Sequence, residues 1–500
     1  MNNLCLIKSR THISQRKQAH KKKIQSIDNK EIETKFAEAH HSNNMSTSTL
    51  STTTMSAPAY NLPRISEEEE GDVDSTSTTH HVPLIMNEKH EEVCPRNKVS
   101  EIATKAFRRA SAESNVLSRA KLQDIALLRM EELYIGTFLG KGSFSDAYEI
   151  GKIDLLEKDA DPARNLLATS YRRKESGTCR YAIKFLNEEI RSDPEHYAVG
   201  TSDLVIEGMF LASLSHPNII KVRGLPAEGL SKVGAAQSKG YFLVMDRLFG
   251  TLGDKIYGDW RETHVLKKDK LAGIYSSRKN ALARKTHLTE RLRVAFDISA
   301  ALKFLHSKRI IYRDLKPENL GFDVRGDIKL FDLGLVKELH PRNQDSEGTY
   351  KLSLAGTPRY MAPEVGNRQR YNLSADVYSI SMLLYEIITL EKPFKGFTYA
   401  RLKQDIFQDG QRPPLKSRNG IKVWPKSMRT LISAGWNQNP KIRPSMDDVY
   451  EQLKVAYVTI GNVSSLEDIS HTRRRSTFVA KKLSQISLRH LMQGVDDNNN

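Results

Sequence analysis

Cysteine is almost absent from this chain of 500 residues: Cys5, Cys94 and Cys179 are all there are. An odd count at no metal-ligand spacing argues against a disulfide scaffold and against a zinc module. It suits a reducing, intracellular compartment, cytoplasmic or nuclear. No stretch reaches the ~18 to 20 uninterrupted apolar residues that a membrane helix needs, which argues against an integral membrane protein. Apolar residues make up only 39% beside 27% charged, a share below that of a wholly folded chain, so part of the length is expected outside any core. Acid is missing from the first 27 residues. A secretory leader would need an apolar core that residues 1–23 lack. Lys21, Lys22 and Lys23 suit a solvated basic tail or a weak nuclear signal, with an organellar transit peptide as the alternative. What the chain has in excess is positive charge, 77 Lys and Arg against 60 Asp and Glu. A balance of +17 favours an anionic partner such as phosphate groups, nucleic acid or an acidic surface.

Composition changes along the chain. Residues 1–97 mix Ser/Thr runs, the acid run Glu67 to Glu70 and scattered His. Such a segment buries too little surface to offset chain entropy and is expected to be a disordered tail. Over 98–132, Ile102, Ala106, Ala110, Leu117, Leu122, Ile125 and Leu128 fall near helical spacing among charged residues. They predict an amphipathic helical lead-in, either packed on the region C-terminal to it or solvated by itself. Short β-prone runs at 134–139, 146–153, 181–186 and 241–245 then predict an antiparallel sheet, interrupted by a helix over 203–214. From residue 290 the periodicity is helical, over 290–305, 375–390, 428–436 and 446–457. The fold class expected is therefore α+β, a small sheet lobe followed by a larger helical one. Residues 458–500 turn polar again and are expected to be mostly disordered.

The residues that could carry chemistry lie in this bipartite region. Leu139-Gly140-Lys141-Gly142-Ser143-Phe144-Ser145-Asp146-Ala147 sits between two predicted strands. Glycines at 140 and 142 let backbone amides approach a polyphosphate without a side chain between them. The next strand holds Lys184 among apolar neighbours, and a buried ammonium requires a partner. Glu207 on the next helix can supply one. Further on, Arg313-Asp314-Leu315-Lys316-Pro317-Glu318-Asn319-Leu320 puts an Asp, a Lys and an Asn in one loop, and Phe331-Asp332-Leu333-Gly334 adds a carboxylate after a strand.

In this order, and with Ala362-Pro363-Glu364 after them, these elements resemble the eukaryotic protein kinase catalytic domain over residues 133–457, with a small lobe at 133–246 and a large lobe at 250–457. The resemblance implies a role for each. Lys184, oriented by Glu207, holds the α- and β-phosphates of ATP. Asp332 and Asn319 bind Mg²⁺, whose hard, oxygen-seeking character they suit. Asp314 accepts the proton of the substrate hydroxyl and Lys316 steadies the γ-phosphate. Residues 139 to 147 cover the nucleotide. Met245-Asp246-Arg247-Leu248 is the hinge whose backbone meets adenine, while Ala147, Ala182 and Leu320 give apolar surface to the ring. Three positions depart from the family's commonest pattern. Tyr312 stands for the His of His-Arg-Asp, Leu333 for the Phe of Asp-Phe-Gly, and Ser145 for a loop glycine. None removes a charged group, so an active enzyme is expected rather than a pseudokinase scaffold.

The same resemblance implies serine/threonine specificity, from Lys316 in the catalytic loop and from Gly356-Thr357-Pro358-Arg359-Tyr360, where Thr357 is expected to contact Asp314 and Lys316. Ala375-Asp376-Val377-Tyr378-Ser379 and Trp436-x3-Pro440-x2-Arg443-Pro444 resemble the tyrosine-kinase-like group. Arg443 is expected to pair with Glu364, and Asp376 to anchor the catalytic loop. Arg313 before the catalytic Asp implies an activation segment ordered by phosphate from an upstream kinase, with Ser346, Thr349, Tyr350 and Ser353 as candidates. Arg108-Arg109-Ala110-Ser111 and Arg473-Arg474-Arg475-Ser476 resemble sites for a basophilic kinase, with ordinary solvated basic clusters as the alternative for each. Two insertions lengthen the domain. One spans 154–180. The other, at 261–286, is basic and suits an acidic docking motif, nucleic acid or anionic lipid, with a solvated loop as the default. No interleaved aromatics accompany it, so protein substrates are expected and nucleic acid is not.

Overall fold

The structure, a computed structural model, describes residues 96–117, 125–142, 144–156, 161–173, 177–231, 233, 240–261, 276–415 and 425–461, and of residues 96, 97 and 276–284 the backbone alone. Ser143, residues 1–95, residues 462–500 and most of the basic insert lie outside them. Contacts divide the chain into two units, Asp28–Val93 and the remainder, and all described residues belong to the latter.

The small lobe is a sheet of six strands, β1 (Ala126–Leu128), β2 (Leu133–Lys141), β3 (Ser145–Ile153), β4 (Tyr181–Leu186), β5 (Val222–Pro226) and β6 (Phe242–Asp246), in the order β1-β5-β6-β4-β3-β2. β1 runs parallel to β5 and every other pair is antiparallel. Alternation divides the central strands between two cores. Tyr181, Ile183, Phe185, Phe242 and Val244 face one cluster, and Leu186, Leu243 and Met245 the other. Lys184, even-numbered like Leu186, points to the latter side, where the lobes meet.

Residues 98–132 are helical only in part. Helix α1 (Arg96–Glu113) ends well before β1. Ala126 and Leu128 are buried because pairing with β5 carries them into the outer cluster, so tertiary context overrides the helical spacing. The insertion at 154–180 contributes α2 (Pro162–Ser170), started by Asp161, whose carboxylate accepts from Ala163 N. Arg164 of α2 donates to Leu127 O at 2.7 Å and pairs with the fully buried Glu132 at 2.6 Å. Helix α3 (Pro194–Ser213) crosses the other face of the sheet, started by Asp193 and Pro194. A Cβ at Gly208 would lie 2.5 Å from Leu243. Glycine therefore lets α3 sit close against β6.

The large lobe contains α4 (Leu252–Tyr257), α5 (Ser276–Ser307), α6 (Ser374–Thr389), α7 (Lys426–Gly435) and α8 (Met446–Gly461). α6 is mostly apolar and is buried on all sides from Ala375 to Ile388, with Asp376 and Glu386 among its buried residues, as expected of a helix at the centre of a core. It carries the other helices around it. Two short antiparallel strand pairs complete the lobe, β7 (Ile310–Ile311) with β10 (Lys337–Glu338), and β8 (Leu320–Phe322) with β9 (Ile328–Leu330). α5 begins at Ser276, so the last part of the basic insert is helix and not loop. α8 runs four residues past the expected end at 457, because Ile460 still packs on the core. Among the described residues no helix is long and apolar enough to cross a membrane.

Candidate active site

A cleft of about 470 Å³ opens between the lobes, lined by Gly142, Lys184, Glu207, Asp314, Lys316 and Asp332 among others. Its roof is the turn from β2 to β3. Gly142 N donates to Ser145 O at 2.7 Å, and a Cβ at Gly142 would stand 2.9 Å from that oxygen, so the turn closes only over glycine. A Cβ at Gly140 would meet nothing within 4 Å. That glycine leaves open space rather than relieving a clash. The register Gly140↔Ala147 and Ala147↔Lys184 then aligns the turn with the strand lysine.

Lys184 donates to Glu207 Oε1 and Oε2 at 2.9 and 2.8 Å and to Asp332 Oδ1 at 3.3 Å. Burial alone would lower the ammonium's pKa, but the carboxylates of Glu207 and then Asp332 outweigh it and hold the group well above its ordinary value. It is a fixed positive charge. Glu207 is buried and also accepts from Leu333 N at 3.2 Å, so one carboxylate joins the strand, the helix and the Asp-Leu-Gly turn. Asp332 sits at φ 58°, a left-handed conformation uncommon for a residue with a side chain. Its carboxylate thereby reaches Lys184 while remaining substantially exposed to the cleft.

A second cluster forms on the floor. Asp314 Oδ2 accepts from Lys316 Nζ at 2.9 Å and Asn319 Nδ2 at 3.1 Å, and its Oδ1 accepts from Thr357 Oγ1 at 2.7 Å. Lys316 also reaches Thr357 Oγ1 at 3.2 Å. The Asn319 amide further donates to Asp314 O at 2.9 Å. With its NH₂ turned to Asp314, the carbonyl oxygen is what Asn319 can offer a cation. Gly356 is required here: its φ is 108° and a Cβ would fall 2.3 Å from Arg313 O.

The loop is held from below. Asp376 of α6 accepts from Tyr312 N at 2.7 Å and Arg313 N at 2.9 Å, and His306 Nε2 lies 2.9 Å from it. Arg313 sits there at φ 73°. Tyr312 is fully buried and its hydroxyl donates to Phe331 O at 2.6 Å, tying the loop that holds Asp314 to the residue before Asp332. Leu333 is buried too. Both replacements of the commonest family residues thus fill packing positions. Arg443 forms a two-pronged pair with Glu364 at 2.7 and 2.8 Å, both side chains buried.

Of the residues expected around the nucleotide, Ala182 and Leu320 are buried, Ala147 is half-buried and Leu139 is exposed, and none of the four lines the cleft described above. Leu248 packs over Gly321, where a Cβ would come within 2.7 Å of it. The Asp246 carboxylate is engaged by Arg223 at 2.8 and 2.9 Å. Lys141 and Asp146 pair across the β2–β3 turn and Phe144 lies within it; Ser143 lies outside the described residues. Three contributors carried no sequence signal for their supporting role. His306, Tyr371 and Ser353 reach Asp376 or Arg313 only through the tertiary fold, the latter two contacting Arg313 Nη1 at 3.4 and 3.1 Å.

Comparison with known proteins agrees with this geometry. Serine/threonine-protein kinase STY17 of Arabidopsis thaliana is 32% identical over 171 residues, 34% of this chain and 28% of that protein. Dual specificity protein kinase shkB of Dictyostelium discoideum is 32% identical over 161 residues, 32% of this chain and 23% of that protein. Another Dictyostelium discoideum protein, named "Probable serine/threonine-protein kinase", is 35% identical over 162 residues, 32% of this chain and 11% of that protein. The chain thus spans less than a third of the length of each of these relatives. A family model described as "Protein kinase domain" matches residues 168–453. With more than half of its length matched and two lobes of the corresponding fold, the chain belongs to the protein kinase domain family.

Proposed function

We propose that this protein is an ATP- and Mg²⁺-dependent serine/threonine kinase that transfers the γ-phosphate to Ser or Thr hydroxyls of protein substrates. The observation that carries this reading is the convergence of two charged clusters on one cleft, Lys184 with Glu207 and Asp332 above, and Asp314 with Lys316, Asn319 and Thr357 below. Phosphoryl transfer needs little covalent chemistry from the protein; it needs positioning and compensation of charge. Lys184 binds the α- and β-phosphates. Asp314 accepts the substrate proton, and Lys316 neutralises charge on the γ-phosphate. Residues 139 to 147, with the backbone of Asp246 and Leu248 and the apolar surfaces of Ala182 and Leu320, hold the nucleotide.

The cation's residues fit it. Asp332 and Asn319 present a carboxylate and an amide oxygen, the hard donors that Mg²⁺ accepts, few enough to leave room for water and phosphate. Bound Mg²⁺ would offset the phosphate charge. The Thr357 bonds to both Asp314 and Lys316 favour Ser/Thr acceptors, and the patterns Ala375-Asp376-Val377-Tyr378-Ser379 and Trp436-x3-Pro440-x2-Arg443-Pro444 favour placement in the tyrosine-kinase-like group. Of the four candidate hydroxyls in the activation segment, Ser346 alone is exposed, Ser353 and Tyr350 are buried, and Thr349 is bonded to Asp345. Arg370 is held by Asp345 and Thr349 O. An activating phosphate from an upstream kinase is therefore assigned to Ser346, close in sequence to the Asp345 that holds Arg370. The compartment is proposed as cytoplasmic or nuclear, with protein and not nucleic acid as the partner.

The test is phosphoamino-acid identification after incubation of the chain with Mg·ATP, itself and a generic basic protein. Phosphoserine or phosphothreonine is expected. Phosphotyrosine as the sole product would overturn the acceptor class.

A further inference from the structure

We propose that α1 and the turn at its C-terminal end form a built-in positioning element for Glu207, setting the Lys184–Glu207 pair from outside the part of the chain that matches the family. The inference deepens the kinase reading and rests on it. Helix α3 carries Glu207 and is buried without interruption from Leu204 to Leu211. More than two helical turns with no solvent face cannot be covered by a sheet on one side only. The second cover is α1. It packs along α3 with Val99 and Ala103 fully buried, and Ile102, Phe107 and Ala110 join the same core. Residues 96–117 lie ahead of the family match at 168–453 and also ahead of residue 133, where the resemblance begins, so this cover lies outside the matched part of the chain.

The far end of the segment ties to the other lobe. Ser114 Oγ donates to Glu338 Oε2 at 2.5 Å and Val116 N donates to the same oxygen at 3.3 Å. Leu117 N donates to Ser114 Oγ at 3.0 Å, and Leu117 is buried. Glu338 lies in β10, opposite Ile310 of β7. It therefore stands six residues beyond Asp332 and next to the strand that leads into the catalytic loop. One segment thus grips the helix that bears Glu207 and the strand just beyond the Asp332 turn. Glu207 in turn accepts from Leu333 N, which closes the circuit. Holding both elements favours the arrangement in which Lys184 is paired, and loosening the segment frees α3 to carry Glu207 away.

The test uses the full chain with Ala103→Glu, which puts a charge into the α1–α3 contact, and with Ser114→Ala, which removes the hydroxyl donor, and Glu338→Gln, which takes the charge from the acceptor, so that both weaken the polar tie and leave the core intact. The first readout is hydrogen exchange of the amides of residues 203–211 and 333–338, which needs no enzymatic activity. Exchange about tenfold faster is expected in Ala103→Glu and several-fold faster in the milder pair. Unchanged exchange overturns the proposal. The second readout is kcat in the natural chain and in a Glu207→Gln background. Ala103→Glu is expected to lower kcat about tenfold in the former and less than about twofold in the latter, while lowering Tm equally in both. An equal loss of kcat in both backgrounds overturns it, since a merely structural helix would act without regard to Glu207. If Ala103→Glu fails to fold, the Ser114→Ala and Glu338→Gln chains decide by the same readouts. Absence of transfer by the natural chain would count against the kinase reading alone, with exchange still deciding this one.

Discussion

Arg443 and Glu364 illustrate how a single ion pair can serve the fold rather than the chemistry. Both are buried, the pair is two-pronged, and Arg443 also donates to Asn437 O and Ser374 O. Removing one partner strands a buried charge, so Arg443→Ala is expected to cost ~3 to 5 kcal/mol of stability in a denaturant titration. A loss under about 1 kcal/mol would mean that the pair is effectively solvated. Glu386, fully buried in α6, behaves differently. Burial pushes its carboxyl up to about 7, against lowering hydrogen bonds from Tyr257 and Tyr360; Glu318 raises it further and Lys392 opposes. A folded-state pKa above the unfolded one means that the folded state holds a proton which the unfolded chain has already released. The stabilisation is therefore fully present below about pH 4.5 and is lost as pH rises to about 7. Glu386→Gln should flatten this decline, measured as the difference in unfolding free energy between about pH 5 and about pH 8. A decline as steep as that of the natural chain would show that other groups cause it.

At the scale of elements, the charged site was largely legible together with Thr357, Asp376 and the Arg443–Glu364 pair, and its remaining supports were not. Lys184, Glu207, Asp314, Lys316, Asn319 and Asp332 stand at spacings that motif order reveals, and the structure gathers them around one cleft. β1 was not legible, because Ala126 and Leu128 keep helical spacing with their neighbours and become a strand only when β5 is present to pair with them. Nor could α1 be assigned to α3, since an amphipathic helix carries no label of its partner. His306, Ser353 and Tyr371 are ordinary residues until the fold brings them to Asp376 and Arg313. Gly356 belongs to this scale also. Its positive φ and the approach of Arg313 O leave no room for a Cβ, so Gly356→Ala is expected to displace Thr357 from Asp314 and lower kcat by about tenfold or more, with a much smaller change in Tm. Equal activity would show that the segment re-forms without that contact.

For the whole molecule, two lobes share one cleft, and each lobe supplies what the other lacks. The sheet lobe gives a fixed cation, Lys184, locked by burial against Glu207. The helical lobe gives the carboxylates Asp314 and Asp332, placed on loops that Asp376 and β7–β10 secure from within the core. Helices α1 and α2 cover the sheet lobe on opposite sides, so its exposed faces are fewer than the six strands alone would leave. Such an arrangement predicts an enzyme and not a scaffold. The most direct measurement is transfer of the γ-phosphate from Mg·ATP to a generic basic protein, with the natural chain beside Asp314→Asn. Transfer by the natural chain and a loss of at least about a hundredfold in the variant, with ATP binding retained, is the predicted result. Equal phosphate incorporation by both chains, or none by a natural chain that binds ATP, would contradict it.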